Sequence, residues 1–116
     1  MSDLIYLATP YSDSDPAVQE HRFKEVNKVA AQLMGKGWHV FSPISHCHPI
    51  AMAGDLPKDW KFWEAYDKVM LQACTKLVVL MQEGWQKSTG VANEVKIAIE
   101  LGIPVIYMEY KSEEKS

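Results

Sequence analysis

At 116 residues, with an apolar fraction of 47% and a charged fraction of 23%, the chain has the composition of one soluble globular domain with a single core. Its net charge of −3 and single arginine, Arg22, exclude the basic patch that binding a nucleic acid polymer requires. No apolar run approaches the roughly 20 residues needed to span a bilayer, and no basic-then-apolar leader is visible, so no membrane partner and a cytoplasmic location are expected. Cys47 and Cys74 form no C-x-x-C pair and read as reduced thiols.

Leu4 to Ala8 is a short apolar run bounded by Thr9-Pro10, which predicts a fully buried first strand. Loop chemistry through Asp15 leads into a helix with Pro16 in an early position. Phe23, Val26, Val29, Ala30, Leu33 and Met34 recur at helical spacing until Gly35 and Gly37 end it. Trp38 to Ser42 is the second strand, parallel to the first across a right-handed crossover. From Pro43 to Lys58 no period is clear, and three prolines, Gly54 and the His46-Cys47-His48 cluster predict a long functional loop. That cluster matches no common zinc spacing; no metal or other cofactor is expected.

Asp59 caps the next helix, which reaches about Ala73. On a wheel at about 100° per residue, Lys61, Glu64, Lys68 and Gln72 share one face, but Asp67 falls between Cys74 and Trp60 on the apolar side. Thr75 to Met81 is the third strand. A glycine-punctuated loop from Gly84 then becomes a helix closed by Gly102, and Ile103 to Met108 is the fourth strand. In that last helix Glu94 lies inside the apolar arc, where an unpaired carboxylate is costly to bury.

The alternation of strands and helices predicts an α/β fold: a small doubly wound parallel sheet, flavodoxin-like or Rossmann-like, in strand order 2-1-3-4. Its ligand crevice lies at the carboxyl ends of strands 1 and 3. Glu94 either reaches back to Ser88 or Thr89 as a cap, pairs with a lysine, or points into that crevice. Two helices each carrying one inward carboxylate favour the crevice. A carboxylate pair beside Tyr6 suits chemistry at an acetal-like carbon, with Glu94, placed in the first turn of its helix, ionised as nucleophile and Asp67 holding a proton.

Tyr6-Leu7-Ala8-Thr9-Pro10, the Gly37 to Pro43 strand, Asp67, Ser88-x-Gly90-x-x-x-Glu94 and Gly102-x-Pro104-Val105 occur in that order. Together they resemble the nucleoside 2-deoxyribosyltransferase superfamily from Ile5 to Tyr107. The resemblance implies one such domain over residues 1–110, with a charged tail at 111–116. It implies an enzyme that cleaves or transfers at the N-glycosidic bond of a 2′-deoxynucleoside or its 5′-monophosphate. Glu94 would form the glycosyl-enzyme intermediate, Asp67 would assist, and Tyr6 would position Glu94.

Ala8, Thr9, Pro10 and Ser12 after the first strand, with Trp85, Ser88, Gly90 and His46, would bind the substrate. Ser88 stands where the transferases have an aspartate and resembles the nucleotide hydrolases, whereas Pro10-Tyr11-Ser12 departs from the arginine and serine of those hydrolases. A non-catalytic nucleotide-binding or sensing module with the same pocket is the rival reading. The partner is a small nucleoside or nucleotide, and the superfamily's habit implies a homo-oligomer. Trp60, Phe62, Trp63 and Tyr66 would supply either a base-stacking platform or, for most of them, the subunit interface.

Overall fold

The computed structural model describes residues 3–11, 13–57 and 60–110. In chain order it comprises β1 (Leu4–Ala8), α1 (Pro16–Gly35), β2 (His39–Phe41), α2 (Pro43–Gly54), α3 (Trp60–Gln72), β3 (Lys76–Leu80), one 3-10 turn (Trp85–Lys87), α4 (Thr89–Leu101) and β4 (Val105–Met108). The strands form one sheet in the order β2-β1-β3-β4, and every pairing is parallel. This is the doubly wound, flavodoxin-like topology that the alternation of strands and helices predicts.

Strand β1 lies inside the sheet, flanked by β2 and β3, so an alternating polar face is impossible and its apolar run is required. Its side chains divide between two cores. Ile5 and Leu7 join Val78 and Leu80 beneath Val26 and Ala30 of α1. Tyr6 and Ala8 join Leu77 and Val79 on the other face, with Leu71 from α3 and Val91, Ile97 and Ala98 from α4. Each large aliphatic side chain so buried stabilises the fold by roughly 2 kcal/mol.

The helix ends follow local chemistry. Asp15 accepts a hydrogen bond from the Ala17 N–H ahead of Pro16. Ser88 accepts from the Val91 N–H at 3.1 Å, and Gly102 closes α4 in a left-handed conformation with φ 75°. The outer strands are shorter than expected because the preceding helices claim their first residues. The Trp38 N–H bonds back to the Leu33 carbonyl and the Ile103 N–H to that of Ala98.

The expected loop from Pro43 onward is instead mostly helix, α2. Pro43 opens it as Pro opens many helices, and Asp55 in a left-handed conformation (φ 54°) ends it. No clean period marks it because α2 packs at the carboxyl edge of the sheet against α1, not across a sheet face. Only Pro43, His48 and Ala51 are buried, and a Ser42–Ser45–Asn27 hydrogen-bond chain ties the helix to α1. Among earlier expectations, Ser12, the Asp59 cap and the 111–116 tail lie outside the described residues. No helix among the described residues is long and apolar enough to cross a membrane.

Arg22 joins the two turns that border the crevice, donating to the Tyr11 carbonyl at 3.3 Å and the Glu83 carbonyl at 3.4 Å. Gly84 makes this close approach possible: its φ is +90°, and an added Cβ would sit 2.9 Å from Arg22 Nη2. Gly84→Ala should therefore cost about 1–2 kcal/mol in urea unfolding, through backbone strain together with a displaced Arg22. Gly35→Ala, where the added carbon meets nothing within 4 Å, should cost less.

Candidate active site

A cavity of about 530 Å³ opens at the carboxyl ends of the strands. Thr9 and Tyr11 reach it from the turn after β1, Pro43 to Ala51 from α2, Trp60, Lys61, Trp63 and Asp67 from α3, and Lys87 to Glu94 from the turn and helix after β3.

Glu94 is 6% exposed and Tyr6, from the middle of β1, is fully buried behind it. The Tyr6 hydroxyl donates to Glu94 Oε2 at 2.6 Å. Glu94 is therefore held across the core by a strand, while the Ser88 hydroxyl is engaged with its own helix. Asp67 is 7% exposed, and among the described residues its Oδ1 is buried with no hydrogen-bond partner. A buried orphan carboxylate oxygen is costly, and the residue that carries it lines the cavity.

The electrostatics correct one expectation. Glu94 is the sixth residue of α4 and stands beyond the first turn, where the helix dipole would favour its charge. Burial pushes its carboxyl up to about 8, with the Asp67 charge adding and the Tyr6 hydrogen bond opposing. Burial raises Asp67 to about 6, again opposed by the Tyr6 hydroxyl. Both carboxyls are therefore raised, by burial first, and Glu94 gains nothing from the helix end that was expected to keep it ionised. Burial and both carboxylates raise the Tyr6 hydroxyl far above its usual range, so it serves only as a donor.

The expected binding residues divide. Thr9, Ser88 and Gly90 line the cavity. The Thr9 hydroxyl is donated to the buried Gln82 Oε1, a partner that sequence reasoning missed. Ala8 and Pro10 are packed in the interior beneath the cavity wall. Trp85 packs on Tyr107 with ring centroids 5.5 Å apart, away from the cavity. His46 is exposed on the outer side of α2, stacked on Tyr66. Alternation on a helix explains the last miss: the neighbour two residues on, His48, is the one turned inward and buried.

Tyr11, Cys47, Lys61 and Lys87 line the cavity without having been singled out as site residues, and His48, weighed from sequence beside His46 as a residue to contact the base or cap the pocket, lines it too. Burial pushes the Cys47 thiol up to about 12, helped by the charges of Asp67 and Glu94, so it is an unreactive wall. Among the aromatic residues of α3, Trp60 and Trp63 face the cavity, while Phe62 and Tyr66 are exposed. Among the described residues no group of three His, Cys, Asp or Glu side chains is arranged to hold a metal.

Fold and cavity together define a flavodoxin-like α/β domain with two raised carboxyls in the crevice at its strand ends. The chain belongs to the family described as Domain of unknown function (DUF1937), whose model matches residues 3–110. No curated protein matches it in sequence. In structure it is similar to a 2-deoxyribosyltransferase from Bacillus psychrosaccharolyticus, with a TM-score of 0.61 and 24% identity over 95% of this chain and 74% of that one. That likeness establishes the shared fold.

A raised carboxyl has a definite stability signature. The unfolded chain releases the Glu94 proton near its usual 4.5, whereas the folded chain keeps it until about 8. The contribution is present in full below about pH 4.5 and is lost as pH rises to about 8. Glu94→Gln keeps an acceptor for Tyr6 but cannot ionise. Its melting temperature relative to wild type should therefore climb between about pH 5 and pH 8.5, by at least about 4 °C. Taking the difference cancels the opposite trend of Glu25, whose carboxyl is held low by Tyr110 and Lys28. A flat difference would mean an ordinary Glu94.

Proposed function

We propose that this protein is an enzyme of the nucleoside 2-deoxyribosyltransferase superfamily that breaks the N-glycosidic bond of a 2′-deoxynucleoside or its 5′-monophosphate, with Glu94 as the nucleophile. The observation that carries the reading is the Tyr6 hydroxyl on Glu94 Oε2 at 2.6 Å, in a cavity shared with the orphaned Asp67 Oδ1. The motif order in the sequence and the likeness in fold support it.

In this mechanism Glu94 acts in its ionised form: one carboxylate oxygen attacks the anomeric carbon while the bond to the base breaks and its electron pair leaves with the base. Tyr6 keeps Oε2 fixed, so the attacking oxygen needs no search for its geometry. Asp67 accepts from a sugar hydroxyl and, in its ionised form, stabilises the positive charge that grows on the ring. Trp60 and Trp63 supply apolar faces for the base. Ser88, Thr89 and Gly90, at the first turn of α4, supply N–H and hydroxyl donors to the 5′ oxygen or phosphate. Water entering after the base leaves gives hydrolysis; a second base gives transfer.

No metal or other cofactor takes part. The exposed Phe62, Tyr66 and Val69 on α3 are the surface on which a homo-oligomer would form, and the protein would work in the cytoplasm.

One observation favours the second reading, a nucleotide-binding or sensing module. With its carboxyl raised to about 8, Glu94 at neutral pH is a hydrogen-bond donor suited to holding a neutral ligand.

Release of free base from deoxynucleosides, ribonucleosides and their 5′-monophosphates, with and without an acceptor base, tests the proposal. Wild type should release base and Glu94→Gln should be slower by about a thousandfold or more. The acid limb of the wild-type pH profile in kcat/KM should follow the ionisation of Glu94, and Asp67→Asn should move that limb to lower pH by removing the neighbouring charge. A tight complex without product, with affinity unchanged in Glu94→Gln, would replace catalysis with binding.

A further inference from the structure

Besides the carboxyl pair, the cavity wall holds a second line of polar groups. Glu20 Oε1 lies 3.0 Å from His48 Nε2, and His48 Nδ1 lies 2.5 Å from the Tyr11 hydroxyl. The line runs from α1 through α2 to the turn after β1, and its last two members line the cavity. Its outer end is wet and its middle is dry: the Glu20 side chain is 46% exposed and that of His48 6%. The Phe23 ring packs on the imidazole with centroids 4.4 Å apart, which fixes the plane of the ring. A satisfied core histidine would need no opening into a ligand cavity; this one ends there in a hydroxyl.

The two systems come from opposite faces of the sheet. Tyr6, Asp67 and Glu94 belong to the face covered by α3 and α4, whereas Glu20 and Phe23 come from α1 on the other. They meet only over the carboxyl edge. The reaction needs both, because a nucleobase leaves poorly as an anion and the group that protonates it must differ from the nucleophile. Asp67 is engaged with the sugar hydroxyl in the glycosidic reading, which leaves the proton of the departing base to another group. Tyr11, pushed up to about 12 by burial and the neighbouring Cys47 and Glu20, keeps its proton at any working pH.

We infer that Tyr11 is the acid that protonates the departing nucleobase, with His48 and Glu20 as the positioning residues that refill it. The inference rests on the glycosidic reading of the site. In the proposed acting form His48 holds a proton on each ring nitrogen, Nε2–H on Glu20 and Nδ1–H on the Tyr11 oxygen, which turns the phenolic hydrogen towards the cavity. As the bond between the anomeric carbon and the base nitrogen breaks, its electron pair goes to the base. The base takes the Tyr11 proton, Tyr11 takes the Nδ1 proton, and a Glu94 lone pair forms the new bond to carbon. No free phenolate arises, His48 ends neutral, and Glu20 keeps the ring oriented throughout.

The test compares a 2′-deoxynucleoside, whose base needs a proton, with 4-nitrophenyl 2-deoxyriboside, whose phenolate leaves without one. Tyr11→Phe should lose about 10²–10⁴-fold in kcat/KM on the nucleoside and less than about threefold on the nitrophenyl glycoside. Glu20→Gln should lose about tenfold on the nucleoside and spare the glycoside. Glu94→Gln should lose both substrates. Equal losses on the two substrates in Tyr11→Phe or Glu20→Gln, or no loss on the nucleoside, would overturn the assignment. Thermal melts of each variant show that it is folded; if Tyr11→Phe is not, the half-exposed Glu20→Gln decides by the same ratio. Wild type inactive on both substrates would remove the glycosidic reading itself, and the acid with it.

Discussion

The contact on which the rest depends is the hydrogen bond from Tyr6 to Glu94. It places a carboxyl in the core, at a cost that the donor held against it offsets and that burial expresses as a raised affinity for its proton. Everything around it serves that arrangement. β1 must be a central strand so that Tyr6 is fully buried, α4 must lie on that face of the sheet, and Asp67 must come close enough for its charge to act on the same proton. A neutral pair of hydrophobic residues would pack there at less cost.

The fold was legible in the sequence where a single physical rule decided the outcome. Buried parallel strands read as continuous apolar runs, and β1 and β3 are such runs; α1 and α4 announce themselves by period and by Asp15, Ser88 and Gly102 at their ends. The sheet order follows from right-handed crossovers. Helix α2 was not legible, because a short helix packed by its end and edge buries too few residues to print a period, and its prolines imitate a loop.

The site was half legible for a similar reason. Glu94 and Asp67 stand out because a carboxylate on an apolar face violates a rule. Tyr11 and His48 violate none: a tyrosine in a turn and a histidine among prolines are ordinary until three elements bring them into line. The rise of the Glu94 carboxyl was not legible because it depends on depth, and a helix wheel gives direction without depth. Trp85 and His46 were attractive as residues near the motifs, but their side chains leave on the wrong side of the backbone.

The sequence separation of the partners in the core has a consequence for how the chain acquires its form. Tyr6 and Glu94 are 88 residues apart, and Leu4 meets Thr75 across 71. Closing loops of that length comes at an entropic penalty before any contact compensates, so parallel pairings of this kind form late. On the ribosome the central strand emerges early and has no neighbour on its β3 side until most of the domain has been made. During that interval Ile5, Tyr6 and Leu7 are an apolar segment without a partner, of the kind that holding chaperones bind. The two carboxyls meanwhile remain in water, charged and ordinary, and become unusual only when the last helix docks.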